Sequence, residues 1–179
     1  FPLLMSGANQ VIVTGEIAGV PFKGKVDSLL DAAACRALVR RFPETEAVLG
    51  ALPRGAIVDQ KVMRDLGPVW SQEEGRKLPF VEAYGYDIQG AVYRALEGHN
   101  LPVVLAVGTK ENEPDLAALS VSDADLTSAL YQVEDRAPYY QKIKWGEIEP
   151  RRCERCDYCR RTRKLTSILD YRELVEDDG

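Results

Sequence analysis

Two short stretches of this chain carry residue types that can do metal-assisted chemistry: Gly24-Lys25-Val26-Asp27-Ser28 and Ile57-Val58-Asp59-Gln60-Lys61. Each reads as a β-strand with one carboxylate near its end. Side chains alternate across a strand, so Asp59 and Lys61 project from one face and Gln60 from the other. A carboxylate beside an ammonium, with a second carboxylate on a neighbouring strand, can hold a divalent cation and position a water, which is chemistry for phosphodiester cleavage. An Asp-x-Lys pair at a strand end is more often a solvated surface pair. Here the apolar run Ala56-Ile57-Val58 leads straight into it, so the polar triplet follows directly from a buried strand. The stretch from Pro21 to Asp27 alternates with period two, placing Phe22, Gly24 and Val26 on one face and Lys23, Lys25 and Asp27 on the other.

The elements that must position these residues form an α/β pattern: a central mixed β-sheet flanked by helices. Its expected strands are a hairpin over 10–28 turning at Gly19-Val20-Pro21, a strand ending at Lys61, a strand over 102–110, and a short partner over 117–121. Residues 1–9 read as the end of a helix, and 31–41 as a short alanine-rich helix stopped by Pro43. The stretch 31–55 is an insertion between two strands and has no assigned role. Residues 68–77 read as a loop anchored by Trp70. Phe80 to Glu97 is the main helix, with Ile88, Ala91, Val92, Ala95 and Leu96 as its buried stripe. Tyr86, Gln89 and Tyr93 share an adjacent face. They read either as half-buried boundary residues or, functionally, with Gln89 and Tyr93 hydrogen-bonding a phosphate or base. Ser122-Asp123-Ala124-Asp125 resembles a capping box opening a helix over 122–137, which Pro138 kinks or ends near Tyr139. His99 lies in a turn and Glu16 on the hairpin; both read as surface residues.

At 179 residues with 45% apolar content, one domain over 1–179 is expected. A net charge of −5 and a pI near 5.1 argue against gripping nucleic acid over the whole surface, while leaving room for a local basic groove. The longest apolar run, Pro102 to Val107, is too short to span a bilayer, and no signal-peptide pattern is present, so a cytoplasmic protein without membrane contact is expected. The chain opens on Phe1-Pro2-Leu3-Leu4 without Met, and a preceding segment is expected. Arg151 to Lys164 departs from the rest, with seven basic residues against two acidic. Basic side chains interleaved with Tyr158 suit a nucleic-acid strand, with Arg160, Arg161, Arg163 and Lys164 as the candidate contacts. Cys153, Cys156 and Cys159 lie within this run, and Cys35 stands alone. Leu165 to Gly179 reads as an added edge strand with a frayed end.

Taken together, Lys23-Gly24-Lys25-Val26-Asp27, then Val58-Asp59-Gln60-Lys61, then Tyr86-Asp87-Ile88-Gln89-Gly90-Ala91-Val92-Tyr93 resemble the PD-(D/E)xK nuclease superfamily. The pattern is similar to the RecB-like and RecE-like exonucleases, and to the phage-associated exodeoxyribonuclease VIII group in particular. Cys-Glu-Arg-Cys-Asp-Tyr-Cys-Arg is similar to the end of that group's domain, so the likeness runs from about Gly15 to Lys164. The resemblance implies a restriction-endonuclease-like core and a metal-dependent DNA exonuclease of phage recombination type. Its alternative is an inactive DNA-binding module of the same fold. It makes Asp27 and Asp59 ligands of Mg2+ or Mn2+, adds the backbone carbonyl of Gln60, and makes Lys61 the catalytic lysine. Gln89 and Tyr93 correspond to the Gln-xxx-Tyr motif. Linear double-stranded DNA is the implied partner, with a recombination protein and a homo-oligomer as further implied associations. Two departures stand out: no upstream helical ligand motif precedes Asp27, and the spacing to Asp59 is long. Some RecB-like nucleases hold a cluster on one distant and three C-terminal cysteines. Cys35 follows Asp27 instead of preceding the core, and the last two thiols are closely spaced. Zinc or an iron–sulfur cluster on Cys35, Cys153, Cys156 and Cys159 is therefore the lesser reading, and reduced thiols in a DNA-facing turn the greater.

Overall fold

The computed structural model describes residues 4–72, 74–154, 156–168 and 170–174. In chain order its elements are β1 (Ala8–Ile17), β2 (Val20–Asp31), α1 (Ala32–Arg41), a 3-10 turn (Pro43–Thr45), α2 (Glu46–Leu49), β3 (Gly55–Met63), β4 (Val69–Ser71), β5 (Arg76–Leu78), α3 (Phe80–Ala83), α4 (Tyr86–Glu97), β6 (Val103–Thr109), β7 (Leu116–Val121), α5 (Asp123–Lys144), α6 (Asp157–Arg161) and a 3-10 turn at Tyr171–Leu174. Five strands form one mixed sheet in the order β1-β2-β3-β6-β7, and β4 and β5 form a separate hairpin. Only β3 and β6 run parallel. Parallel neighbours need a crossover, and the chain between them supplies it with α3 and α4. This is the α/β arrangement, a central mixed sheet flanked by helices, that the sequence predicts.

The chain divides into two compact units, Phe1–Gln141 and Lys142–Gly179. In the first, β6 is buried on both faces and reads as an uninterrupted apolar run, as a central strand must. Val104 and Ala106 pack with Leu30, Ala56 and Val58 against Cys35, Leu38, Val39 and Leu49 of α1 and α2. Val103, Leu105 and Val107 alternate to the opposite face, where Ala91, Leu126 and Ala129 of α4 and α5 and Phe80 of α3 cover them. The stretch 31–55 is therefore the helical layer that closes one face of the sheet. Burial pushes the Cys35 thiol above its usual range, as suits a core side chain.

Local chemistry explains where the elements depart from expectation. The hairpin turns at Ala18 and Gly19, one residue earlier than expected, because both take the left-handed backbone that a two-residue connection demands. Ala8 already pairs with Leu29, so residues expected to end a helix begin a strand. Asp31 caps α1 by accepting the Ala34 amide at 2.6 Å. The long helix over 80–97 is broken in two at Gly85, whose φ is 65°. Within α4, Ile88 is 37% exposed and Ala95 faces solvent, while Tyr93 and Leu96 pack against the core. The inward stripe is thus rotated toward the polar row Tyr86, Gln89 and Tyr93. The 68–77 loop is the β4–β5 hairpin, where Trp70 pairs with Lys77 and is 60% exposed instead of buried as an anchor. Ser122 caps α5 as expected, accepting the Asp125 amide. The helix runs through Pro138 to Lys144, because proline withholds one amide hydrogen yet keeps a φ that a helix accepts.

In the second unit, α6 is a single short helix capped by Cys156. Among the described residues beyond it there is no strand. The expected edge strand over Leu165 to Gly179 is replaced by the 3-10 turn at Tyr171–Leu174, and Leu169 and residues 175–179 lie outside the description.

Gly55 fixes the register that aligns β2 with β3. It pairs with Asp31 at φ 94°, and a Cβ there would lie 2.1 Å from the Leu30 carbonyl oxygen. Gly55→Ala is expected to lower stability by about 1–3 kcal/mol in urea denaturation, going by the cost of strained backbone. An unchanged midpoint would contradict this placement.

Candidate active site

The antiparallel pairing of β2 with β3 covers Ser28 to Asp31 against Val58 to Gly55 and stops there. Asp27 and Asp59 are the next residues on each strand, at the point where the strands part. There the Asp27 carboxylate, through Oδ2, accepts the backbone N–H of Gln60 at 2.9 Å. Its Oδ1 accepts from Gln10 Nε2 at 3.0 Å. Gln10 lies across from Asp27 on β1, has a φ of 56°, and is skipped by an otherwise regular register. The same irregularity shows in β2. Val26 and Leu29, three residues apart, pack in one cluster, so the strict alternation expected through Asp27 does not persist.

Asp59 lies on the face of β3 that carries Ile57 and Met63, beneath α4, and is 4% exposed. Lys61 follows it on the same face. Its Nζ sits 2.5 Å from Asp59 Oδ2 and donates to Gln89 Oε1 at 2.7 Å. The ammonium also lies 4.2 Å from the centre of the Tyr86 ring, a cation–π contact. Gln89 Nε2 donates to Tyr93 Oη at 2.8 Å, and that hydroxyl donates to the Lys25 carbonyl at 3.0 Å. Tyr93 reaches β2 because Gly24 has no side chain: a Cβ there would stand 2.7 Å from the ring. The structure therefore brings Asp27, Asp59, Lys61, Gln89 and Tyr93 into one connected group.

Burial is the first influence on the Asp59 carboxyl and pushes it above the usual carboxylate range. The Lys61 ammonium opposes this, and the neighbouring Asp27 carboxylate adds to it. Asp59 Oδ2 is buried, and the Lys61 ammonium beside it compensates by hydrogen bonding and by charge. A buried carboxylate beside a second carboxylate is a donor set that fits a hard divalent cation such as Mg2+ or Mn2+. Asp27 and Asp59 would hold it, and the Gln60 carbonyl is the further oxygen that the family resemblance implies.

Residue reasoning missed Gln10, whose part depends on a non-local strand pairing that no local pattern reveals. It placed Tyr86 on the right helical face, and the spacing of three to Gln89 was the available signal. Glu16 is exposed on β1, and His99 is an exposed turn residue paired with Glu97 at 2.7 Å.

In the second unit the Sγ atoms of Cys153, Cys156 and Cys159 all lie within 4.8 Å of one another. Cys35 belongs to the core of the first unit. Of the basic residues proposed for DNA, Arg163 is bound to Glu154, donating to its carbonyl at 2.8 Å. Arg160, Arg161 and Lys164 are exposed.

Residues 51–162 match the family described as "PDDEXK-like domain of unknown function (DUF3799)". A crystal structure from Eubacterium rectale, described provisionally as an exonuclease, is similar over 97% of this chain, with 37% identity and a TM-score of 0.70. This chain spans 59% of the length of that one. No curated protein sequence matches it.

The pairing across Asp59 and Lys61 has a stability consequence. Replacing Lys61 by Met leaves a buried carboxylate without a counter-charge and Gln89 Oε1 without its donor. Lys61→Met is expected to cost about 3–5 kcal/mol at neutral pH in EDTA, the range for breaking one side of a buried ion pair. A thermal unfolding midpoint equal to that of the unmodified protein would show that Asp59 is not held as described.

Proposed function

The chain belongs to the PDDEXK-like family of PD-(D/E)xK nucleases, and from that membership we propose that it is a Mg2+- or Mn2+-dependent exonuclease acting on linear double-stranded DNA. The observation that carries this reading is the meeting of Asp27, Asp59 and Lys61 where β2 and β3 part, with Asp59 buried beside the Lys61 ammonium. The name given to the Eubacterium rectale protein supports exonuclease over other nuclease chemistry. The family match crosses from the first unit into the second, which supports reading 1–179 as one nuclease-like domain.

Asp27 and Asp59 would hold a divalent cation, which when bound would supply Lewis-acid polarisation of the scissile phosphate and a lowered pKa for water. The remaining work falls to the chain. Gln60 N–H and Gln10 fix the Asp27 carboxylate from two sides. Lys61 presents a positive charge where negative charge accumulates on the phosphoryl oxygens in the transition state, or takes part in moving the proton of the attacking water. Gln89 and Tyr93 hold Lys61 in place, and the second amide N–H of Gln89 keeps hydrogen-bonding capacity for a phosphate oxygen, while the Tyr93 hydroxyl proton is taken by the Lys25 carbonyl. The setting we propose is phage-type recombination in the cytoplasm, beside a recombination partner protein and with self-association. The sequence likeness to RecE-like exonucleases supports it. No helix among the described residues is long and apolar enough to cross a membrane.

Digestion of one plasmid in linear and covalently closed circular form tests the proposal. Purified protein with Mg2+ or Mn2+ should degrade the linear form, spare the circle and stop on addition of EDTA. Lys61→Ala should reduce cleavage at least about 100-fold, the loss found on removing one preorganised electrostatic group, while DNA binding persists. Binding without cleavage by the unmodified protein would support the inactive module instead. Normal turnover by Lys61→Ala would refute the role given to Lys61.

A further inference from the structure

We propose that Cys153, Cys156 and Cys159 bind one zinc ion through three thiolates, independently of Cys35 and of the carboxylate site. The spacing of the sulfurs is the leading observation. Cys153 Sγ and Cys159 Sγ lie 3.8 Å apart, and Cys156 Sγ is within 4.8 Å of both. Two thiolates on a tetrahedral zinc ion with bonds of about 2.3 Å stand roughly 3.8 Å from each other. Such a separation is too long for a disulfide and suits a shared ion.

The backbone is also arranged for charged sulfur. The Cys156 amide donates to Cys153 Sγ at 3.3 Å, and the Cys159 amide to Cys156 Sγ at 3.5 Å. Successive N–H···S contacts across two-residue spacers are what stabilises thiolate ligands on a metal and fixes their direction. The turn that makes them places Glu154 at φ 56°, a conformation that non-glycine residues seldom take. Two arginines hold it there. Arg152 donates to Glu154 Oε1 at 2.7 Å and to the Cys159 carbonyl at 2.8 Å. Arg163 donates to the Glu154 carbonyl at 2.8 Å. These basic residues are engaged in holding the thiols together, which a solvated charge run would not require.

Sulfur ligands select zinc over Mg2+ or Mn2+, so the two sites sort metals by ligand softness. Binding releases the thiol protons to solvent, and no electron transfer is involved. No fourth Cys, His, Asp or Glu joins the group among the described residues. We assign the fourth position to solvent. Cys35 has its own place, packed with Leu30, Leu49 and Ala56 in the first unit.

The test is metal content of protein purified under reducing conditions and dialysed against Mg2+ buffer. About one zinc per chain should remain, falling at least about tenfold in Cys153→Ser, Cys156→Ser or Cys159→Ser and staying unchanged in Cys35→Ala. Cobalt substitution should give thiolate-to-metal absorption in the near ultraviolet and strong tetrahedral bands in the visible. Thiol titration of the unmodified protein, before and after a chelator, covers the case in which a serine variant fails to fold. Three thiols should become reactive only once the metal is removed. Three thiols equally reactive in both conditions, a Cys153–Cys159 disulfide, or iron lost on Cys35→Ala would each overturn the assignment.

Discussion

A carboxylate that is 4% exposed has to be kept charged, and the arrangement around it follows from that requirement. Taking Asp59 out of water favours its neutral form, and the adjacent Asp27 makes this worse. The Lys61 ammonium, 2.5 Å away, is the compensation, and Lys61 in turn is 14% exposed in its side chain. It is satisfied by the Gln89 amide oxygen and by the face of Tyr86. Gln89 leans on Tyr93, and Tyr93 on the Lys25 carbonyl of β2. Each member of this relay is placed by the one before it, which is why α4 must lie on this face of the sheet and why Gly24 must be bare. A relay that ties a helix to two strands restricts the motion of its polar groups, which favours electrostatic preorganisation.

The opening of the sheet provides the other half of the site. Antiparallel pairing between β2 and β3 spans only four residue pairs, so backbone groups beyond Ser28 need partners elsewhere. The Asp27 carboxylate takes the Gln60 amide, turning an incomplete ladder into a fixed carboxylate. Distortion at Gln10 adds a second anchor from the edge strand. The apolar faces at the base of β3 and β6 hold the strands in register, and α1 and α2 seal the side away from the site.

The alternation of apolar and polar residues made the core legible from the chain alone. The central strands, the order of the main elements and the meeting of Asp59 with Lys61 all follow from period-two and helical spacing. The inner face of α4 is legible at Ala91 and Leu96 and not at Ile88 and Ala95, because hydrophobicity ranks the last two above Gln89 and Tyr93. A helix that carries a site turns polar residues inward, and the hydrophobic stripe then marks only part of its buried face. The 31–55 stretch had no visible role because its partners, Val104 and Ala106, lie far along the chain. Gln10 was invisible for the same reason. The cysteines show the limit differently: their spacing alone was compatible with reduced thiols, and only the backbone turn and its two arginines bring out the convergence of the sulfurs.

The central claim is that Asp27 and Asp59 together form the seat for a divalent cation. Anomalous diffraction from a crystal of the protein soaked in Mn2+ tests it most directly. The account predicts a manganese peak bounded by carboxylate oxygens of both residues, absent from Asp59→Asn crystals. A well-ordered soak with no peak between them, or a peak that persists in Asp59→Asn, would contradict it.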